Sequence, residues 1–121
     1  MKRNMELIRE ILLFVEESCD GKKYVSIEDA HLHEDDRYVI YEHCRLLIDK
    51  HLVKAMLTDE MVCYFDALTW EGHDFLDNAR NSTVWKAAVK SAGKLSFGVF
   101  QKVLESAAVA FAMKELSKTI P

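Results

Sequence analysis

Apolar residues near the start of the chain recur at helical spacing. Ile8, Ile11, Leu12 and Val15 fall at i, i+3, i+4 and i+7, and Leu7 and Phe14 widen the stripe. This predicts a helix of about four turns with one buried face. "CDGKK" ends it, Gly21 being suited to the left-handed conformation that closes helices. "YVSI" (Tyr24 to Ile27) has strand composition, whereas "EDAHLHEDD" has no clear period and reads as one helical turn or a polar loop. The helical period returns at Asp35 or Asp36. Ile40, Cys44, Leu47 and Ile48 are expected to face inward, with His51 at the end of that stripe, and Tyr38, Glu42, Arg45 and Asp49 form the opposite one. "KHLVKAML", a polar turn at Thr58 to Glu60 and "MVCYFDAL" then read as two short strands in a hairpin.

"DALTWEGHDFLDNAR" (66–80) raises a local question, because it reads as a helix yet holds a glycine in its first turn. Thr69 can cap the helix through its hydroxyl. Glu71 and Asp74 put negative charge near the positive end, and Phe75, Leu76 and Ala79 supply an inward face. Gly72 costs roughly 1 kcal/mol against alanine inside a helix, which predicts that another backbone, or the ring of Trp70, lies against it. Asn81 or Ser82 can cap a short helix with Val84, Trp85, Ala88 and Val89 inward, closed by Gly93. Ser96 caps a last helix in which Phe97, Phe100, Val103, Leu104, Ala107, Ala108 and Phe111 form a wide apolar stripe, extended by Val109, Ala110 and Met113.

Composition narrows this picture. The 121 residues, half of them hydrophobic with one proline and four glycines, suit one compact domain with a core. Cys19, Cys44 and Cys63 form no CxxC pair, and Cys44 and Cys63 lie in apolar stretches, so buried free thiols in a reducing cytoplasm are expected. Glu6, Arg9, Glu10, Glu16 and Glu17 interrupt the N-terminal apolar residues, which excludes a secretory segment there, and "AAVAFAM" is too short to span a bilayer. Net charge is −4, but residues 1–81 hold 10 basic and 18 acidic side chains, while residues 82–121 hold 6 and 2. The chain is acidic first and basic last.

The order helix, strand, helix, hairpin, helix resembles a winged helix-turn-helix over residues 5–80. Leu68, Thr69, Gly72, Phe75 and Leu76 are similar to the way many bacterial winged helices leave the wing. More closely, "MKRNMELIREIL", "HCRLLIDKHLV" and above all "LTWEGHDFLDNARNSTVWK" resemble an uncharacterised bacterial and prophage family, catalogued as a domain of unknown function, over about the first 90 residues. The resemblance implies a winged-helix fold and a phage or prophage origin; it implies no activity and no catalytic residues. The chain departs from DNA-binding winged helices in two places. "HLHEDD" stands where the first helix of the helix-turn-helix needs an apolar face, and Glu42 stands where the family more often has an aromatic.

Nucleic-acid affinity comes mainly from basic groups that neutralise phosphates. The expected recognition helix, 35–50, holds Arg37, Arg45 and Lys50 against Asp35, Asp36, Glu42 and Asp49, and the wing, 54–66, holds Lys54 against Asp59, Glu60 and Asp66. Both are net negative. The basic residues Lys86, Lys90, Lys94, Lys102, Lys114 and Lys118 lie in the C-terminal helices, where a solvated face is the preferred reading. His31, His33, Glu34, Asp35 and Asp36 are a polar loop rather than a metal site, since zinc ligands usually come from two elements. His73 and Asp77 at i, i+4 read as a structural pair, with no nucleophile beside them.

These observations lead to a mainly α (α+β) fold: a winged helix-turn-helix with a two-stranded wing, residues 1–81, and a C-terminal helical extension, residues 82–121. The expected function is non-enzymatic and cytoplasmic, without cofactor, metal, membrane or small-molecule substrate. It consists in binding a macromolecule, a protein partner being preferred, with a DNA-binding transcriptional regulator as the alternative. Tyr38, Glu42, Arg45 and Asp49 form the candidate recognition-helix surface. Phe97, Phe100, Leu104, Ala107, Ala108 and Phe111 form the candidate helix for a homodimer.

Overall fold

The computed structural model describes residues 1–119. They form five helices and a small three-stranded antiparallel sheet, and the chain divides into two compact units, Met1–Leu76 and Asp77–Pro121.

In the first unit, α1 (Met5–Ser18) is capped by Asn4, whose side-chain oxygen accepts the Leu7 N–H. Its expected stripe is buried: Leu7, Ile8, Ile11, Leu12 and Val15 are almost inaccessible, each such aliphatic side chain contributing about 1.5–3 kcal/mol over exposure. Phe14 stands at the edge, its ring 6.5 Å from Phe65 and nearly perpendicular to it. Gly21 takes φ +79°, as the turn signal requires. Of "YVSI", only Val25–Ser26 pairs as a strand (β1), and a 3-10 turn covers Ile27–Asp29 with Ser26 as its cap. Asp36 caps α2 (Arg37–Asp49), accepting from the Tyr38 and Val39 N–H groups.

Strands β2 (Val53–Leu57) and β3 (Cys63–Leu68) form the hairpin, and β3 is central in the order β1–β3–β2. A register shift at Lys54/Ala55 leaves Asp66 as an extra residue, because Lys54 opposes Ala67 while Ala55 opposes Phe65. The turn is longer than three residues. It includes Met61, which adopts φ 62° and so belongs to the turn rather than to the strand predicted to begin there.

Gly72 has a definite answer. A Cβ added there would stand 2.0 Å from the Leu52 carbonyl oxygen. That same oxygen accepts the Thr69 N–H at 3.1 Å, so the start of α3 (Trp70–Ala79) is clamped onto the backbone just before β2. Thr69 strengthens the clamp, its hydroxyl accepting from Gly72 N–H at 3.0 Å and donating to the His51 carbonyl at 2.6 Å. The Trp70 ring, the other expected neighbour, is 80% exposed.

In the second unit, Asn81 rather than Ser82 caps α4 (Ser82–Ala92), accepting from Thr83 and Val84. Gly93 closes it as expected, with φ −63° in the right-handed region and its N–H donated to the Val89 carbonyl. Ser96 caps α5 (Phe97–Thr119), accepting from Val99. The Trp85 and Phe100 rings meet edge to face at 5.3 Å between α4 and α5.

Candidate functional site

The candidate surface is built on α2. Tyr38, Arg45 and Asp49 are exposed as expected, while Glu42 is half-buried. The inward face differs from expectation at two positions. His51 is exposed in a left-handed turn (φ 60°) just past the helix, and His43 takes the inward role in its place. His43 is fully buried. Its Nε2 accepts the Asn4 N–H at 2.8 Å, and its Nδ1 lies 2.8 Å from the Val39 carbonyl. Only the neutral imidazole with its proton on Nδ1 makes both bonds, so His43 ties the start of α1 to the middle of α2. Cys44 beside it is also buried, and its thiol hydrogen-bonds with that of Cys63 on β3. That bond, followed by burial, pushes the Cys44 thiol well up from its ordinary range.

On the outer face the arginines are engaged. The Arg45 guanidinium lies over the Tyr41 ring, 5.4 Å from its centroid, and its Nε is 3.5 Å from the Glu42 carboxylate. Arg37 donates to the Glu60 carbonyl at 2.9 Å and lies 3.7 Å from the Glu28 carboxylate. Releasing such exposed pairs costs at most about 1 kcal/mol each, so pairing alone does not withhold the arginines. The field around them weighs more. Glu28 and Asp35 share a groove with Arg37, Glu42 stands beside Arg45, and the hairpin turn adds Asp59 and Glu60. A phosphate approaching this face meets mostly like charge.

A groove of about 280 Å3 opens between the 3-10 turn, the first turns of α2 and the hairpin turn, lined by Ile27, Glu28, Asp35, Arg37, Ile40, Tyr41 and Met61. Arg37, Ile40 and Tyr41 fall at i, i+3 and i+4, which puts them on one side of α2. The helix period signals that side, but Met61 reaches it only through the hairpin, which no spacing reveals. Two more open grooves, about 430 and 410 Å3, flank α1 on either side of Glu10. One takes in Glu6, His33 and Glu34, the other Glu17, Asp29 and His31. His33 pairs with Glu10, and this hydrogen bond raises the imidazole above its ordinary value of 6.5. Among the described residues no group of three His, Cys, Asp or Glu side chains stands together to hold a metal. Asp77, considered with His73, pairs with Arg80 at 2.7 Å.

The candidate dimer helix is divided. Phe100 and Leu104 are fully buried, while Phe97, Ala107, Ala108 and Phe111 are half-buried. A second apolar stripe, Val109, Met113 and Leu116, is 62%, 60% and 52% exposed. Val109 lies nine residues, about two and a half turns, beyond Phe100, on the opposite side of α5.

The family described as "Hypothetical protein (DUF2513)" matches residues 2–98. The chain belongs to this family. An uncharacterized protein of Haemophilus influenzae (strain ATCC 51907 / DSM 11121 / KW20 / Rd) is 38% identical over 97 residues, covering 75% of this chain and 80% of that protein. No solved structure matches. The DUF2513 match spans the α2 surface, the hairpin and the Gly72 clamp, and ends at the second residue of α5. Among the described residues no helix is long and apolar enough to cross a membrane.

Proposed function

We propose that this DUF2513 protein is a non-enzymatic, phage- or prophage-type winged helix of the cytoplasm that acts by binding a protein partner. In this reading α2 is the recognition helix and the β2–β3 hairpin is the wing. One observation carries it: the face a winged helix turns toward a duplex is acidic here, with Arg37 beside Glu28 and Asp35 and Arg45 beside Glu42. The alternative is a DNA-binding transcriptional regulator, supported by fold analogy and by the exposure of Tyr38 and Arg45. Titrating random duplex DNA at low salt separates them. Micromolar binding that weakens steeply with salt favours the regulator. No binding to duplex, together with a host protein retained by the immobilised chain but not by a Glu28→Arg/Glu42→Arg variant, favours the adaptor.

Self-association accompanies this reading. The stripe Val109, Met113 and Leu116 supports a homodimer through α5, since Phe100 and Leu104 are already covered. Light scattering tests it: the intact chain is expected at twice its 14.0 kDa mass and the Val109→Ser/Met113→Ser/Leu116→Ser variant at the monomer mass. A monomeric intact chain ends the dimer proposal.

A further inference from the structure

The geometry points to the groove beside Arg37 as the docking site for a basic side chain, lysine or arginine, carried by the protein partner. This rests on the protein-partner reading above and deepens it. The groove is lined by Ile27, Ile40 and Met61, which are buried or half-buried, and by Glu28, Asp35 and Arg37, which are exposed and make up its rim. At about 280 Å3 it falls just short of the range of about 300–1,000 Å3 usual for small-molecule sites, and a single inserted side chain is a better match than a cofactor. Long cationic side chains have the complementary build, an aliphatic stem that covers apolar surface and a charged head that stays at its edge. Arginine anchors of this kind are frequent at the centres of protein interfaces.

Charge selects the occupant. Arg37, the cation of the rim, is turned toward the Glu60 carbonyl and the Glu28 carboxylate. The Asp35 carboxylate takes no hydrogen bond or ion pair among the described residues; only its backbone N–H is engaged, by Glu34. Asp36 is committed to capping α2. An incoming ammonium or guanidinium therefore meets one unpaired carboxylate at Asp35 and a second, at Glu28, that Arg37 holds only at 3.7 Å. An acidic peptide or a phosphate would meet the same rim with like charge. Three elements build the wall, and Met61 reaches it from a left-handed turn position, so the shape of the groove depends on the hairpin turn as well as on α2.

The test uses the full chain and a fluorescein-labelled nine-residue peptide of alternating leucine and arginine, read by fluorescence polarisation. Its partner measurements are an alternating leucine–glutamate peptide and a random 20-base-pair duplex. Glu28→Gln/Asp35→Asn removes the rim charges, and Glu17→Gln/Glu105→Gln removes two carboxylates elsewhere, giving the same net charge. Thermal melts of both variants by circular dichroism within a few degrees of the parent establish that each is folded. The expected result is micromolar binding of the basic peptide only, weakened at least about fivefold by the rim variant and less than twofold by the control. Equal weakening by both variants, or none by either, overturns the groove while leaving protein binding standing. Binding of the duplex but not of the basic peptide overturns the groove and the protein-partner reading together.

Discussion

Gly72→Ala isolates the clamp between α3 and the backbone before β2. On helix propensity alone the change stabilises, by up to about 1 kcal/mol and less near a helix end. The structure reverses the sign. The added methyl would lie 2.0 Å from the Leu52 oxygen and 3.0 Å from its carbonyl carbon, whereas unstrained carbon contacts settle near 3.5–4.0 Å. The obstacle is backbone, and that carbonyl is held by the Thr69 N–H, so relief requires moving the start of α3 by about an ångström or breaking the bond. Overpacking of this kind costs about 1–3 kcal/mol, and loss of the bond about 1 kcal/mol more. Set against the propensity gain, the net destabilisation is about 2 kcal/mol. Urea unfolding followed by circular dichroism reads this as a lower midpoint at unchanged slope. Gly98→Ala is the matched control: nothing lies within 4 Å of its Cβ position, and a small stabilisation is expected. A Gly72→Ala chain as stable as the parent, or more so, would refute the clamp.

Three further predictions follow from the buried and paired groups. His43→Leu leaves the Asn4 N–H without its acceptor and should lower stability by about 1–3 kcal/mol, with faster hydrogen exchange at the start of α1 as the specific sign. His33, raised by Glu10, should titrate above 6.5 in an NMR pH series and return toward 6.5 in Glu10→Gln. Because its folded value is the higher one, its contribution to stability is complete below 6.5 and is lost as pH rises through the folded value. Cys44 and Cys63 are inaccessible, and Cys19 is half-buried and raised by burial and by Asp66 and Asp20. Native protein at pH 8 should therefore react slowly with Ellman's reagent at one thiol and rapidly at three only after unfolding; three fast thiols in the native state would refute the packing around Cys44.

Much of the fold was legible because its signals are local. The stripe of α1, the caps at Thr69 and Ser96 and the turn at Gly21 all follow from residues within one turn of each other. The need for space at Gly72 was legible too, but not its neighbour, because Leu52 lies twenty residues away and approaches through the hairpin. His43 was missed for a related reason. A histidine flanked by Glu42 and Cys44 carries no mark of burial until the Asn4 N–H, thirty-nine positions earlier, is brought against it. The groove combines both cases. Its α2 side is written in the period of Arg37, Ile40 and Tyr41, while Met61 and Ile27 arrive by tertiary folding. Periodicity also misjudged α5, where one wide stripe was read and two opposed stripes are present, because Val109 and Met113 were counted with residues half a turn away from them.

That divided helix has a consequence for how the chain can be shortened. Ending it after Ala108 would keep the buried Phe100 and Leu104, with the Phe100 ring against Trp85, and discard the greasy side that faces water, so the trimmed protein should tolerate high concentration better than its parent. Ending it before Phe100 would instead strip Trp85 of its cover and invite clumping. Two cuts only nine residues apart should thus push solubility in opposite directions.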